Sequence, residues 1–258
     1  MKRSIFIIMT LMALLLTACG SERGSGNLIT EDREVSDFDR VELIGVGELT
    51  LTQGGSESLT IEAEDNVMPQ IKSEVRNDTL VIGLESDLLD RIEPTKPIKF
   101  DLTVKELKGL SLSGSGNINS ANLNTEDLDL TLSGSGDIKI ANLAAEDVEF
   151  ALSGSGELAI DTFSAEKVEA TLSGSGQVEL AGQVSEQKIA ISGSGEYRAA
   201  ELESQEAEIE VSGSGDVTVW ANERLDVEMN GSGDVDYIGA ATVTEDISGS
   251  GSVTRLDE

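Results

Sequence analysis

The chain has 258 residues, 49 acidic against 18 basic, for a formal charge of −31, with no histidine and one cysteine. That charge disfavours nucleic acid and bare anionic lipid as partners. The missing residues remove the usual catalytic triads, the common zinc sites and the usual general base.

Met1-Lys2-Arg3 is a basic start, and Ile5 to Leu16 is an apolar run of signal-peptide length, too short for a stable membrane span. The run ends in Leu16-Thr17-Ala18-Cys19-Gly20, which resembles a bacterial lipobox. Residues 1–18 are read as a lipoprotein signal peptide and Cys19 as the lipidated first residue of the mature chain. Residues 19–27 are read as that cysteine plus a flexible Gly/Ser tether. Removing Lys2 and Arg3 leaves 16 basic and 49 acidic residues, or −33, and no free thiol or disulfide. Gly20 after the cysteine resembles the pattern for outer-membrane sorting, with palmitate among the expected acyl chains. The face of that membrane is left open.

Residues 28–258 are read as one domain. Within it, residues 28–112 alternate irregularly: Leu49 and Leu51, Leu59 and Ile61, Leu80, Ile82 and Leu84, Phe100, Leu102 and Val104. They are read as earlier, degenerate coils that cap the stack. All three prolines, Pro69, Pro94 and Pro97, fall here and mark loops or bulges. Asp65 to Val75 is expected to hold a short helical turn, and Ser86 to Lys99 a lateral loop.

Residues 113–251 carry eight Ser-Gly-Ser-Gly blocks starting at Ser113, Ser133, Ser153, Ser173, Ser192, Ser212, Asn230 and Ser248, stepped by 18 to 20 residues. A fixed period of this length means one unit stacked on itself. Apolar and polar residues alternate on both sides of each block, which is strand periodicity. Val148, Phe150, Leu152, Gly154, Gly156, Leu158 and Ile160 share one parity. About 20 residues hold two strands and two corners. The predicted fold is therefore all-β: a right-handed parallel β-helix (β-solenoid) with about 20-residue coils. Antiparallel hairpins would need recurring Asn-Gly or Asp-Gly turns, which are missing.

The predicted corner glycines are Gly114, Gly116, Gly134, Gly136, Gly154, Gly156, Gly174, Gly176, Gly193, Gly195, Gly213, Gly215, Gly231, Gly233, Gly249 and Gly251. The parity turns them inward and the serines outward, letting the wall turn sharply or approach the opposite wall. A second corner follows at Ala121-Asn122-Leu123 and its equivalents, then acidic residues such as Glu126-Asp127 and Glu146-Asp147. These form a solvated edge; a cation-binding ladder is the sharper alternative.

No metal, cofactor or catalytic residue is predicted. Paired carboxylates keep a polysaccharide lyase or hydrolase open by composition, but no basic cluster sits beside any of them. Gly-Ser-Gly-Asp at Asp137, Asp216 and Asp234 has the wrong period for a calcium roll, although weak calcium binding stays open. Stacked outward serines could offer hydroxyls to ice or glycan; their plainer role is to suit a tight corner. The few rings, among them Trp220, Tyr197 and Tyr237, fall mostly in the inward phase.

The repeated Ser-Gly-Ser-Gly-x-[Val/Ile]-x-[apolar] coils, with Phe38-Asp39-Arg40-Val41-Glu42-Leu43 and Gly45 to Gly54 before them, resemble the GIN-domain family, head domains of auto-transporter adhesins. The resemblance covers about Phe38 to Leu256. It implies a β-helical, often lipoprotein-borne envelope protein. Gly47-Glu48-Leu49 stands where Gly-Ile-Asn would be expected, and no β-barrel translocator follows Glu258, so an autotransporter on its own is not expected. The expected function is a non-enzymatic, lipid-anchored envelope protein with an adhesin-like binding surface. Its partner is a glycan, another envelope protein or a second copy. Envelope maintenance without adhesion, or a carbohydrate-active enzyme, are the alternatives.

Overall fold

The computed structural model describes residues 22–84 and 92–257. The N-terminal strands are β1 (Glu22–Arg23), β2 (Leu28–Arg33), β3 (Arg40–Gly45), β4 (Glu48–Gln53), β5 (Ser58–Glu64), β6 (Lys72–Arg76), β7 (Thr79–Gly83), β8 (Ile92–Glu93) and β9 (Lys99–Val104). The repeats supply β10 (Gly109–Gly114), β11 (Asn117–Asn124), β12 (Asp127–Gly134), β13 (Asp137–Ala144), β14 (Asp147–Gly154), β15 (Glu157–Gly174), β16 (Gln177–Gly193), β17 (Glu196–Gly213) and β18 (Asp216–Gly231). The chain closes with β19 (Asp234–Ile238), β20 (Thr242–Gly249) and β21 (Ser252–Arg255).

These strands stack as a parallel β-solenoid with two walls. The Ser-Gly block is the first corner. β15 to β18 pass through the second corner without a break, so each contributes to both walls. Register between coils is one-to-one: Leu130 pairs with Phe150, Leu132 with Leu152, Ile138 with Leu158. Inward positions therefore form axial columns, such as Leu112, Leu132, Leu152, Leu172, Ile191, Val211 and Met229, all buried. Stacking of like aliphatic side chains buries apolar area at every step, about 25 cal/mol per Å². Phe150 sits over Ala170 and meets the Phe163 ring at 6.1 Å, so the large ring is accommodated by a small residue next in its column.

The first corner keeps its backbone pairing. Ser135 N–H donates to the Gly114 carbonyl, Ser155 to Gly134 and Ser175 to Gly154, each at 2.9 Å. Gly154 has φ +129°, and a β-carbon there would overlap the Gly134 carbonyl oxygen. Gly156 is buried while Ser153 and Ser155 face solvent. The glycines are required chiefly by the coil stacked beneath them, rather than by approach to the opposite wall.

The N-terminal part departs from the predicted series of coils. β3 and β4 form one coil, pairing in parallel with β10 and β11. On their other side lie β7 and β9, which come later in the chain. Spatial order is thus not chain order. Beyond them, β6 joins β7 antiparallel, β5 joins β9 antiparallel, and β2 joins β5 antiparallel. An open parallel stack would leave its last apolar layer and ladder bare; the antiparallel strands cover them. The β6–β7 hairpin turns on Asn77 and Asp78, with φ of 48° and 62°, residue types that tolerate the left-handed region. The expected helical turn is a 3₁₀ turn at Met68–Gln70.

The expected tether is also different. β1 pairs with β8, so the chain is fixed to the body from Glu22 onward. Gly24 N–H donates to Glu93 O at 2.8 Å, Ser25 N–H to Asn66 Oδ1 at 2.9 Å and Gly26 N–H to Glu64 Oε1 at 2.6 Å. Residues 22–27 are therefore a strap laid along the domain. Of the lateral loop, residues 86–91 lie outside the described residues; from Ile92 it supplies the partner of the strap. Cys19 also lies outside the described residues.

Candidate functional site

In a solenoid whose inward residues fill the core, ligands can meet only the outer walls, corners and ends. At the first corner the outward serines stack in register: Ser133, Ser153, Ser173, Ser192 and Ser212 form one exposed column, with Ser135, Ser155, Ser175, Ser194 and Ser214 beside it. The acidic residue after the block turns toward the next coil. Asp137 Oδ1 accepts from Glu157 N–H at 3.3 Å, Asp216 Oδ1 from Asp234 N–H at 3.0 Å, and Asp234 Oδ1 from Ser252 N–H at 3.1 Å. These carboxylates cap the ladder. Among the described residues no group of three or more acidic, histidine or cysteine side chains is placed to hold a metal ion.

The most site-like feature is a trough of about 420 Å³ on the outer face of β13, β15, β16 and β17. Its floor is small because outward positions hold Ala159, Ala181 and Ala200. Its sides are Lys139, Glu157, Asp161, Glu179, Arg198 and Glu201. The pairing register shifts there, between Ile160 and Phe163 and again between Glu179 and Ala181, which re-aims the wall. Lys139 Nζ lies 3.5 Å from Asp161 Oδ1. Arg198 makes a fork with Glu196, Nε to Oε1 at 2.6 Å and Nη2 to Oε2 at 2.7 Å. Those bonds, with the charges of Glu196, Glu179 and Glu157, hold the Arg198 guanidinium above its ordinary pKa. The result is an open groove with an apolar base, lined by two cations and four carboxylates.

Two other hollows are framed by structural contacts. A groove of about 550 Å³ at the second corner includes Gln53, whose amide bonds Asn124 O at 2.9 Å and accepts from Asn124 N–H at 2.8 Å. A cleft of about 500 Å³ lies between Val46–Glu48 and the loop Ile92–Ile98. Behind that loop Glu64, 1% exposed, accepts from Thr95 N–H at 2.8 Å, Thr95 Oγ1 at 2.5 Å and Lys96 N–H at 3.4 Å, besides Gly26. Burial pushes its pKa up; the hydrogen bonds outweigh that and hold it below 4.5.

Residues 37–162 and 153–241 match the family described as "Putative auto-transporter adhesin, head GIN domain". The chain belongs to that family. No curated protein matches it. Among solved structures it is similar to a "Putative lipid binding protein" from Parabacteroides distasonis, at 26% identity and TM-score 0.87, over 92% of this chain and 100% of that one. A "putative adhesin" from the same species matches at 21% identity and TM-score 0.86, over 92% and 100% of the two chains. Another from Parabacteroides merdae matches at 21% and 0.81, over 91% and 98%. The latter two carry the fold alone.

The sixteen glycines all stand at the first corner. Phe38, Phe100, Phe150, Phe163 and Tyr197 are buried; Trp220 breaks the inward pattern by lying half-buried outside the wall, with Nε1 donating to Asn222 Oδ1 at 3.1 Å. Sequence reasoning missed the trough, the Glu64 clamp and a core polar chain. In that chain the Tyr197 hydroxyl donates to Gln187 Oε1 at 2.9 Å, and Gln187 Nε2 to Ser204 Oγ at 3.0 Å. Outward alanines within charged columns were the available signal for the trough.

Proposed function

We propose that the protein is a non-enzymatic, adhesin-like module of the cell envelope, anchored at the outer membrane through acylated Cys19. Its β13–β17 trough holds a segment of glycan. The trough carries this reading: a sugar presents hydroxyls on its rim and an apolar ring face, which fit charged side chains of both signs over an alanine floor. Family membership supports the adhesin-like role. The trough also contains the carboxylates a glycosidase would use, but it is open, and its cations are already paired with Asp161 and Glu196. A general acid needs a carboxyl held high. Glu64 and Asp65 are shifted downward, and neither lines the trough.

The test is a glycan array probed with the native chain and with Arg198→Ala and Lys139→Ala. Binding reduced tenfold or more by each substitution is expected. Binding insensitive to both, or release of cleaved sugar, would overturn the reading. The anchor is tested separately: Cys19→Ala should move the protein out of the membrane fraction, and continued tight association would contradict it.

A further inference from the structure

The attachment point and the antiparallel cap belong to one end of the solenoid. This inference rests on the reading of Cys19 as the anchor. From Cys19 to Glu22 is three residue steps, which reach about 11 Å at full extension. Glu22 is paired with Ile92, and the following residues are bonded to Glu64, Asp65 and Asn66. A membrane holding Cys19 must therefore lie close to the end formed by β2 and β6.

That end is the one suited to it. Of the four exposed large hydrophobic residues among the described residues, three are there: Leu28 at 46%, Ile29 at 39% and Val75 at 38%. Ile29 pairs with Ala63 and Val75 with Leu80, so both continue the core-facing side of their walls past its last buried layer. The outermost strands are also neutral, with Arg33, Lys72 and Arg76 against Glu31, Asp32 and Glu74. Residues 109–258 carry 6 basic and 29 acidic residues, a net −23. Anionic headgroups repel such walls and spare a neutral end.

We propose that the β2–β6 end docks on the bilayer surface through Leu28, Ile29 and Val75, and that the solenoid stands upright from it. Insertion stops at the headgroup boundary, because the free edges of β2 and β6 carry backbone groups that hydrocarbon cannot satisfy. Nine strand steps separate β2 from β18 along one wall, through β5, β9, β4, β11, β13, β15, β16 and β17. At ~4.8 Å each, Trp220 stands about 43 Å from the docked end, and the trough is held clear of the headgroups.

Chemical coupling separates this from the anchor reading. The chain from Cys19 onward, with its single thiol, is joined to phosphatidylcholine vesicles bearing a maleimide lipid and acyl-brominated lipid. Trp220, the single tryptophan, should keep its fluorescence. Leu28→Trp and Val75→Trp, each in a Trp220→Phe background, should each lose at least half of theirs. Quenching of Trp220, or bright tryptophans at both 28 and 75, would overturn the proposal whether or not cells acylate Cys19.

Discussion

Residues 109–257 and residues 22–108 close the same solenoid by different means. In the repeats each coil is the template for the next, through parallel one-to-one register and a glycine at every first corner. In the cap, antiparallel strands, a hairpin at Asn77-Asp78 and one buried carboxylate do the work. The comparison teaches that translation builds length, but an end needs specific side chains. Where the template runs out at β20 and β21, the coil is largely exposed.

The largest effect is expected from breaking the template. Gly154→Val puts a β-carbon into the Gly134 carbonyl at φ +129° and should destabilise the stack by ~3 kcal/mol, read from urea unfolding. Breaking the cap should be more local. Glu64→Ala leaves the Gly26, Thr95 and Lys96 N–H groups without their acceptor, a loss of ~2 kcal/mol. Hydrogen exchange should accelerate at residues 22–27 and 92–97 while the repeats keep their protection. Acid should act in the same place: a carboxylate held low contributes stability above its ordinary 4.5, and that contribution is lost as pH falls below 4.5 through the folded value. Exchange rates in the strap measured from pH 6 to 3 check the sign.

Much of this was legible in the sequence because a strand's parity survives repetition. Leu128, Leu130 and Leu132 announce the inward face of a strand, and the Ser-Gly period announces the coil. The cap was not legible. Its hairpin uses Asn77-Asp78 in place of a glycine turn, and stacking β7–β9 outside β3–β4 leaves no trace in local alternation. Glu64 follows Ala63 with both buried, a break in parity that reads as an irregular strand end until its hydrogen-bond donors are seen. The trough depends on which outward positions are small, Ala159, Ala181 and Ala200, and on register shifts that no single coil reveals.

Smaller effects sharpen the same contrast. Tyr197→Phe leaves Gln187 Oε1 without its donor inside the repeat core, and should lower stability by ~1–2 kcal/mol without altering the strap. Burial holds the Tyr197 hydroxyl protonated far above neutral pH, so this loss should not vary between pH 6 and 9. Gly55→Ala is the control: no atom lies within 4 Å of the added β-carbon, and the melting curve should not move.

An adhesin-like role requires the walls of the solenoid to be reachable from outside the cell. Ala240, exposed between β19 and β20 at the end away from the cap, is the position for an inserted protease site. Intact cells carrying that insertion, treated with the protease, give the most direct measurement. Cleavage without permeabilisation is the expected result. Protection until the outer membrane is opened would place the protein in the periplasm and contradict an adhesin-like role.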